Sequence, residues 1–135
     1  MQDTDYKLMV FKFVTLFLSI YKVDEIEFIE FENGIITGKI VWYDSDEDDC
    51  DIFFSWKVDL NLFQLSNLVE LLNYIIRNDL YYSDIIKVSE DKIISVFINK
   101  GWHEDVIKKT IDDLFNIEIV RIENNEIVGS FFVHL

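Results

Sequence analysis

The chain has 135 residues, half of them hydrophobic, with one cysteine, no proline and a formal net charge of −14. That length and apolar content describe a single domain over 1–135 with a full core, and exclude whole-chain disorder. One cysteine excludes an internal disulfide and suits a reducing cytosol, while so acidic a field repels nucleic acid and anionic membrane and attracts basic proteins and cations.

The N-terminus, Met1-Gln2-Asp3-Thr4-Asp5, is acidic where a signal peptide would be basic. Asp3 or Thr4 caps a first helix over about 4–21. Tyr6, Met9, Val10, Phe13, Val14, Phe17 and Tyr21 follow helical spacing, and Lys12, Thr15, Ser19 and Lys22 leave only a narrow polar stripe, which predicts a mostly buried helix. Lys12 also interrupts the apolar run from Leu8 to Ile20, leaving it too short to span a bilayer. The expectation is a cytoplasmic chain with no targeting peptide and no membrane span.

Ile26 and Phe28 alternate with Glu25 and Glu27, Ile29 breaks the phase, and Glu30, Phe31 and Glu32 resume it. One extra residue in an alternating strand predicts a β-bulge. Asn33-Gly34 then turns the chain into a hairpin, since both residues tolerate positive φ. Counting back from the turn pairs Phe31 with Ile36, Glu30 with Thr37 and Ile26 with Ile40. It sets Phe28 and Ile29 together opposite Gly38, with Phe28 covering the glycine. Glu25, Glu27, Glu30 and Glu32 then line the solvent face.

Between two strand-like runs, Ile35–Tyr43 and Ile52–Val58, lies Asp44-Ser45-Asp46-Glu47-Asp48-Asp49-Cys50-Asp51, with six acids in eight residues. Residues 24–51 together hold eleven acids and one base, Lys39, a net of −10. Asp44, Asp46 and Asp48 match the first three ligand positions of an EF-hand loop, but the sixth position is Asp49 instead of Gly, the twelfth is Ser55 instead of Glu, and strands flank the loop where helices should. No specific metal site is expected. Cys50 sits among carboxylates that disfavour a thiolate, so it makes a poor nucleophile. Ile52, Phe54, Trp56 and Val58 point inward and Phe53, Ser55 and Lys57 outward, completing a three-stranded meander. Val41, Tyr43 and Phe53 then stand among the carboxylates on its outer face.

Asp59 or Asn61 opens a second helix over about 61–77, with Leu65, Leu68, Val69, Leu72, Ile75 and Ile76 as its core stripe. Asp84–Val88 and Lys92–Ile98 suggest a second hairpin around Ser89-Glu90-Asp91. After Asn99-Lys100-Gly101 a third helix, over about 103–115, buries Ile107, Thr110, Ile111, Leu114 and Phe115, with Glu104 and Asp105 at the positive end of its dipole. Ile117–Glu123 and Glu126–His134 form a third hairpin around Asn124-Asn125. The fold class is therefore α+β: an antiparallel sheet of about six or seven strands with three helices mostly on one face, built from helix–hairpin units repeated three times. Phe31–Gly38 and Ile122–Gly129 also agree in sequence, through a duplication or, the favoured reading, because hairpins independently select Asn and Gly at turns.

His103 and His134 belong to no triad and no spaced zinc set, and the chain has no phosphate loop or dinucleotide fingerprint. Basic residues are scattered, which excludes the usual nucleic-acid footprint. No catalytic residue, cofactor or metal is assigned, and the chain is read as non-enzymatic. Trp102, at a loop-to-helix junction, joins Tyr43 and Phe53 as a candidate binding anchor.

A small, acidic, motif-free α+β chain whose composition suggests an AT-rich genome resembles the immunity proteins of bacterial toxin–immunity systems, including those of contact-dependent inhibition. The resemblance is one of whole-chain profile. It implies a cytosolic protein that binds and blocks one cognate toxin, commonly a basic nuclease, and an acidic patch can steer that encounter. The partner-binding candidates are Glu25, Glu27, Glu30, Glu32, Tyr43, Asp44, Asp46, Glu47, Asp48, Asp49, Asp51, Phe53 and Trp102. The alternatives are a phage-encoded DNA mimic that inhibits a restriction or CRISPR effector, and an enzyme or metal-dependent protein with an unrecognised site.

Overall fold

The structure is a computed structural model that describes residues 2–41, 52–82 and 85–131. Among these residues the chain forms, in order, α1 (Gln2–Ile20), β1 (Glu25–Glu32), β2 (Ile35–Val41), β3 (Ile52–Lys57), α2 (Leu62–Arg77), β4 (Tyr81–Tyr82), β5 (Ile85–Ile86), α3 (Glu90–Asn99), α4 (Glu104–Phe115), β6 (Ile119–Glu123) and β7 (Glu126–Phe131). Five strands make one antiparallel sheet in the order β1-β2-β3-β6-β7, and β4 and β5 pair separately. The class is α+β, as the sequence implies.

Both outer hairpins close on residues with positive φ, Asn33 and Gly34 in one and Asn124 and Asn125 in the other, as two-residue turns require. Alternation then gives the sheet a buried face carrying Ile36, Ile40, Ile52, Phe54, Trp56, Ile119 and Phe131. Helix α1 lies on this face and crosses the strands. Its Tyr6 ring meets Phe31 of β1 at 5.9 Å, Phe13 meets Trp56 of β3 at 5.4 Å, and Tyr21, just past the helix end, meets Phe131 of β7 at 4.9 Å. The fifteen-residue span from Tyr6 to Tyr21 rises about 22 Å, close to the roughly 19 Å across five strands. Helix α2 packs on α1, and α4 on α2, with α3 beside α4. Tyr6 ties α1 to the approach of α2, its hydroxyl donating to the Leu60 carbonyl at 2.5 Å. No helix among the described residues is long and apolar enough to cross a membrane.

Three expectations need correction. The first is that Lys92–Ile98 forms a strand of a second hairpin. It belongs to helix α3, with Ser89 as N-cap accepting from the Lys92 amide and with Glu90 and Asp91 in the first turn. Ser-Glu-Asp is a composition that serves turns and helix starts alike. The β-branched run that follows is decided by tertiary contacts: Ile93 and Phe97, four apart, are both buried, and the Phe97 ring meets Tyr74 of α2 and Trp102 edge-on. The described residues thus hold four helices and a five-stranded main sheet, with only a two-residue pairing, β4 to β5, left of the predicted second hairpin. The second correction follows from the first: an uninterrupted threefold helix–hairpin repeat is not what the chain forms, because α3 and α4 are successive helices.

The third correction concerns the bulge. Ile26–Ile40, Glu30–Thr37 and Phe31–Ile36 pair as expected, but the extra residue falls between Ile26 and Phe28, so Glu27 and Phe28 share Lys39 and Ile29 pairs with Gly38. Phe28 therefore faces outward and is 41% exposed. What covers Gly38 is Phe54, its partner on β3: a Cβ at Gly38 would overlap the Phe54 ring and the Phe28 carbonyl oxygen.

Candidate protein-interaction face

The opposite face of the sheet turns away from the helices. β1 presents Glu25, Glu27, Glu30 and Glu32, all exposed, on an edge strand. The alternation of apolar and acidic residues puts them there, and the extra residue between Ile26 and Phe28 keeps Glu25 and Glu27 on the same outer side as Glu30 and Glu32. Charged side chains and a bulge are also what keeps an edge strand from pairing with other chains.

Lys39 on β2 stands across the ladder from the bulge that holds Glu27 and Phe28. Its ammonium lies 3.2 Å from a Glu27 carboxylate oxygen and 5.9 Å from the centre of the Phe53 ring. Phe53 is half-buried on the outward side of β3, and its ring meets that of Phe28 at 6.5 Å. The structure therefore brings Phe53 together with the glutamates. Phe28, which the misplaced bulge had assigned to the buried side, belongs to the same surface. Beside it, between α1 and β1, opens a cleft of about 450 Å³ lined by Thr15, Leu18, Ser19, Asp24, Glu25 and Phe28 among others.

The predicted site residues Tyr43, Asp44, Asp46, Glu47, Asp48, Asp49 and Asp51 lie outside the described residues. Trp102 is half-buried and stands elsewhere, its ring packed edge-on against Phe97 at 4.8 Å. That contact accounts for it as part of the seam between α3 and α4. Tyr82, on β4, is exposed with the ammonium groups of Lys22 and Lys87 at 5.7 and 5.8 Å from its ring centre.

Sequence reasoning passed over one polar cluster. Asn61 caps α2 by accepting from the Gln64 amide at 2.8 Å while the Gln64 side chain accepts from the Asn61 amide at 2.9 Å. The same Gln64 donates through Nε2 to Asp113 of α4 at 3.2 Å, and Lys109 donates to the other carboxylate oxygen at 2.6 Å. Asp113 is buried. The Asn-x-x-Gln capping spacing was legible, but its reach to a second helix was not. The cluster satisfies its own hydrogen bonds and pins α2 to α4. Among the described residues no three His, Cys, Asp or Glu side chains come together as a group able to hold a metal. No protein-family model, curated protein or solved structure matches the chain.

Proposed function

We propose that the chain is a small acidic interaction protein that binds a basic protein and neutralises it, in the manner of an immunity protein blocking a cognate nuclease-type toxin. The observation that carries the reading is the outward sheet face, with four exposed glutamates along its β1 edge and Phe28 exposed beside them. The chain's net charge of −14 adds a long-range field of the same sign, and the six acids inserted between β2 and β3 raise its local strength. Each exposed carboxylate contributes little alone, since surface ion pairs are worth roughly 0–1 kcal/mol. Their sum steers encounter, and steering of this kind accelerates association by about 10- to 1,000-fold and is screened by salt.

The test is co-expression with the product of the reading frame that adjoins this chain's own gene. Rescue of growth from that product, together with a stable purified complex, is the expected result. Changing Glu25, Glu27, Glu30 and Glu32 to Gln, or Asp46, Glu47, Asp48 and Asp49 to Asn or Gln, should then slow association and flatten its salt dependence, with a smaller change in dissociation. A neighbour that is harmless, or that neither binds nor is silenced, sinks the reading.

A further inference from the structure

The outward face carries an apolar feature besides its acidic edge. Phe28, Lys39, Phe53, Ile122 and Ile127 are successive cross-strand partners in a single row that crosses all five strands. Both bulges fall in this row, at opposite edges. Glu27 shares the position opposite Lys39 with Phe28, and Val128 shares the position opposite Ile122 with Ile127. Each end of the row therefore presents two side chains where a regular strand presents one. At β1 these are an acid and an aromatic. At β7 both are aliphatic and exposed, Ile127 at 74% and Val128 at 42%. Lys39, the single polar member of the row itself, has its charge met by Glu27 and its ammonium over the Phe53 ring, so it does not cut the strip in two. The neighbouring outward row, Glu30, Thr37, Ser55, Val120 and Ser130, is largely polar and borders the strip.

We propose that this row is the contact core of the docking surface, and that its occupant is a protein presenting an apolar strip with lysine or arginine at one end. The basic end meets Glu25, Glu27, Glu30 and Glu32 on β1, and the apolar end covers Ile122, Ile127 and Val128. This rests on the reading of a basic partner given above, and adds where that partner sits and which way it points. The strip extends about 19 Å across the strands, the scale of an interface core with a polar rim. A second copy of the chain fits badly. A twofold contact sets a patch against itself, so the glutamates would meet either their own copies or the aliphatic β7 end, and in both cases carboxylates lose water without gaining a base. The charge of −14 on each copy adds repulsion.

The experiment uses the full chain and, as probe, the purified product of the adjoining reading frame, with binding kinetics measured for wild type and for Ile127→Glu, Val128→Glu and Leu8→Glu. Leu8, exposed on α1, is the control off this face. The two β7 variants should dissociate roughly 10- to 30-fold faster with little change in association, as loss of an apolar contact does, while Leu8→Glu behaves as wild type. Their melting temperatures should match wild type, because the substituted side chains already face solvent. Dissociation unchanged in both β7 variants overturns the row and leaves the basic-partner reading standing. A wild-type chain that does not bind the probe overturns that reading and the row with it. Sedimentation of the chain alone completes the test: a dimer that Ile127→Glu converts to monomer would make a second copy the occupant and overturn the proposal.

Discussion

The two faces of the five-stranded sheet are built from the same strands and obey different rules. On the inner face the pieces interlock: Gly38 leaves room for the Phe54 ring, Trp56 meets Phe13 at a tilt, and Phe131 meets Tyr21. On the outer face side chains such as Phe28 stay open to solvent while they meet a row neighbour, as Phe28 does Phe53. Because successive residues of a strand point to opposite faces, a single substitution addresses one face and leaves the other in place. The inner face is specified by shape, where one methyl group is felt. The outer face is specified by charge and exposed apolar area, where substitutions hardly register in folding but would register in binding.

The sharpest test of that difference is Gly38→Ala. The added Cβ would overlap a buried ring and a backbone carbonyl oxygen, neither of which is the free end of a flexible side chain. Overpacking of this kind costs about 1–3 kcal/mol, and this site should fall at the upper end. Chemical denaturation measures it. In a Phe54→Leu background the penalty of Gly38→Ala should shrink, since the ring that occupies the space is gone, and a double-mutant cycle reads that coupling. Additive effects would mean that the ring is not the obstacle, and the inner face would lose its claim to interlocking.

The same contrast explains what the sequence made legible. Local chemistry was enough for the Asn33-Gly34 and Asn124-Asn125 turns, the buried stripe of α1, and the outward glutamates, because each follows from one residue's preferences or from a period of two or 3.6, whereas it left Asp59 and Asn61 as equal candidates for the cap of α2. The bulge was predictable in kind but not in place. Alternation breaks at Ile29 in the sequence, yet the ladder gives way at Glu27, because Phe54 already occupies the space over Gly38 that Phe28 was assigned. No pattern within β1 contains that contact. Helix α3 failed for a related reason: Ile93, Ile94 and Val96 have strand composition, and what decides the matter is Phe97 packing on Tyr74, nearly two dozen residues earlier. On the outward face, Ile122 and Ile127 look like ordinary strand residues until the strand order places them in one row with Phe28 and Phe53.

Tyr6 tests the seam between α1 and the approach to α2, where the expected effect is intermediate. Replacing it with Phe removes the hydroxyl bond to Leu60 and should cost about 1 kcal/mol at neutral pH. Burial, and secondarily the nearby Asp59 carboxylate, raise the Tyr6 phenol above its ordinary value. A raised value in the folded state means the contribution is fully present below the unfolded value of about 10 and is lost as pH rises through the folded one. The gap between wild type and Tyr6→Phe should therefore close under alkaline conditions. A gap that stays constant to high pH would show that the phenol is not the group responsible.

The smallest effect is expected at Lys39→Met, where the comparison is easiest to break. Lys39 pairs with Glu27 at 3.2 Å, and the side chains of both partners keep contact with solvent, at 26% and 42% exposure. A pair of this kind contributes roughly 0–1 kcal/mol, and salt weakens it further. Met keeps an unbranched stem and removes the ammonium. Glu27 is left without this cation but remains hydrated, so it suffers no burial penalty. Denaturation midpoints of the variant and wild type should agree to within about 0.5 kcal/mol, and the small difference should vanish at high salt. A loss of about 2 kcal/mol or more would be the scale of a core position. Lys39 would then be holding the sheet together from outside, and the outward row would count as part of the folding machinery instead of a surface left open for a partner.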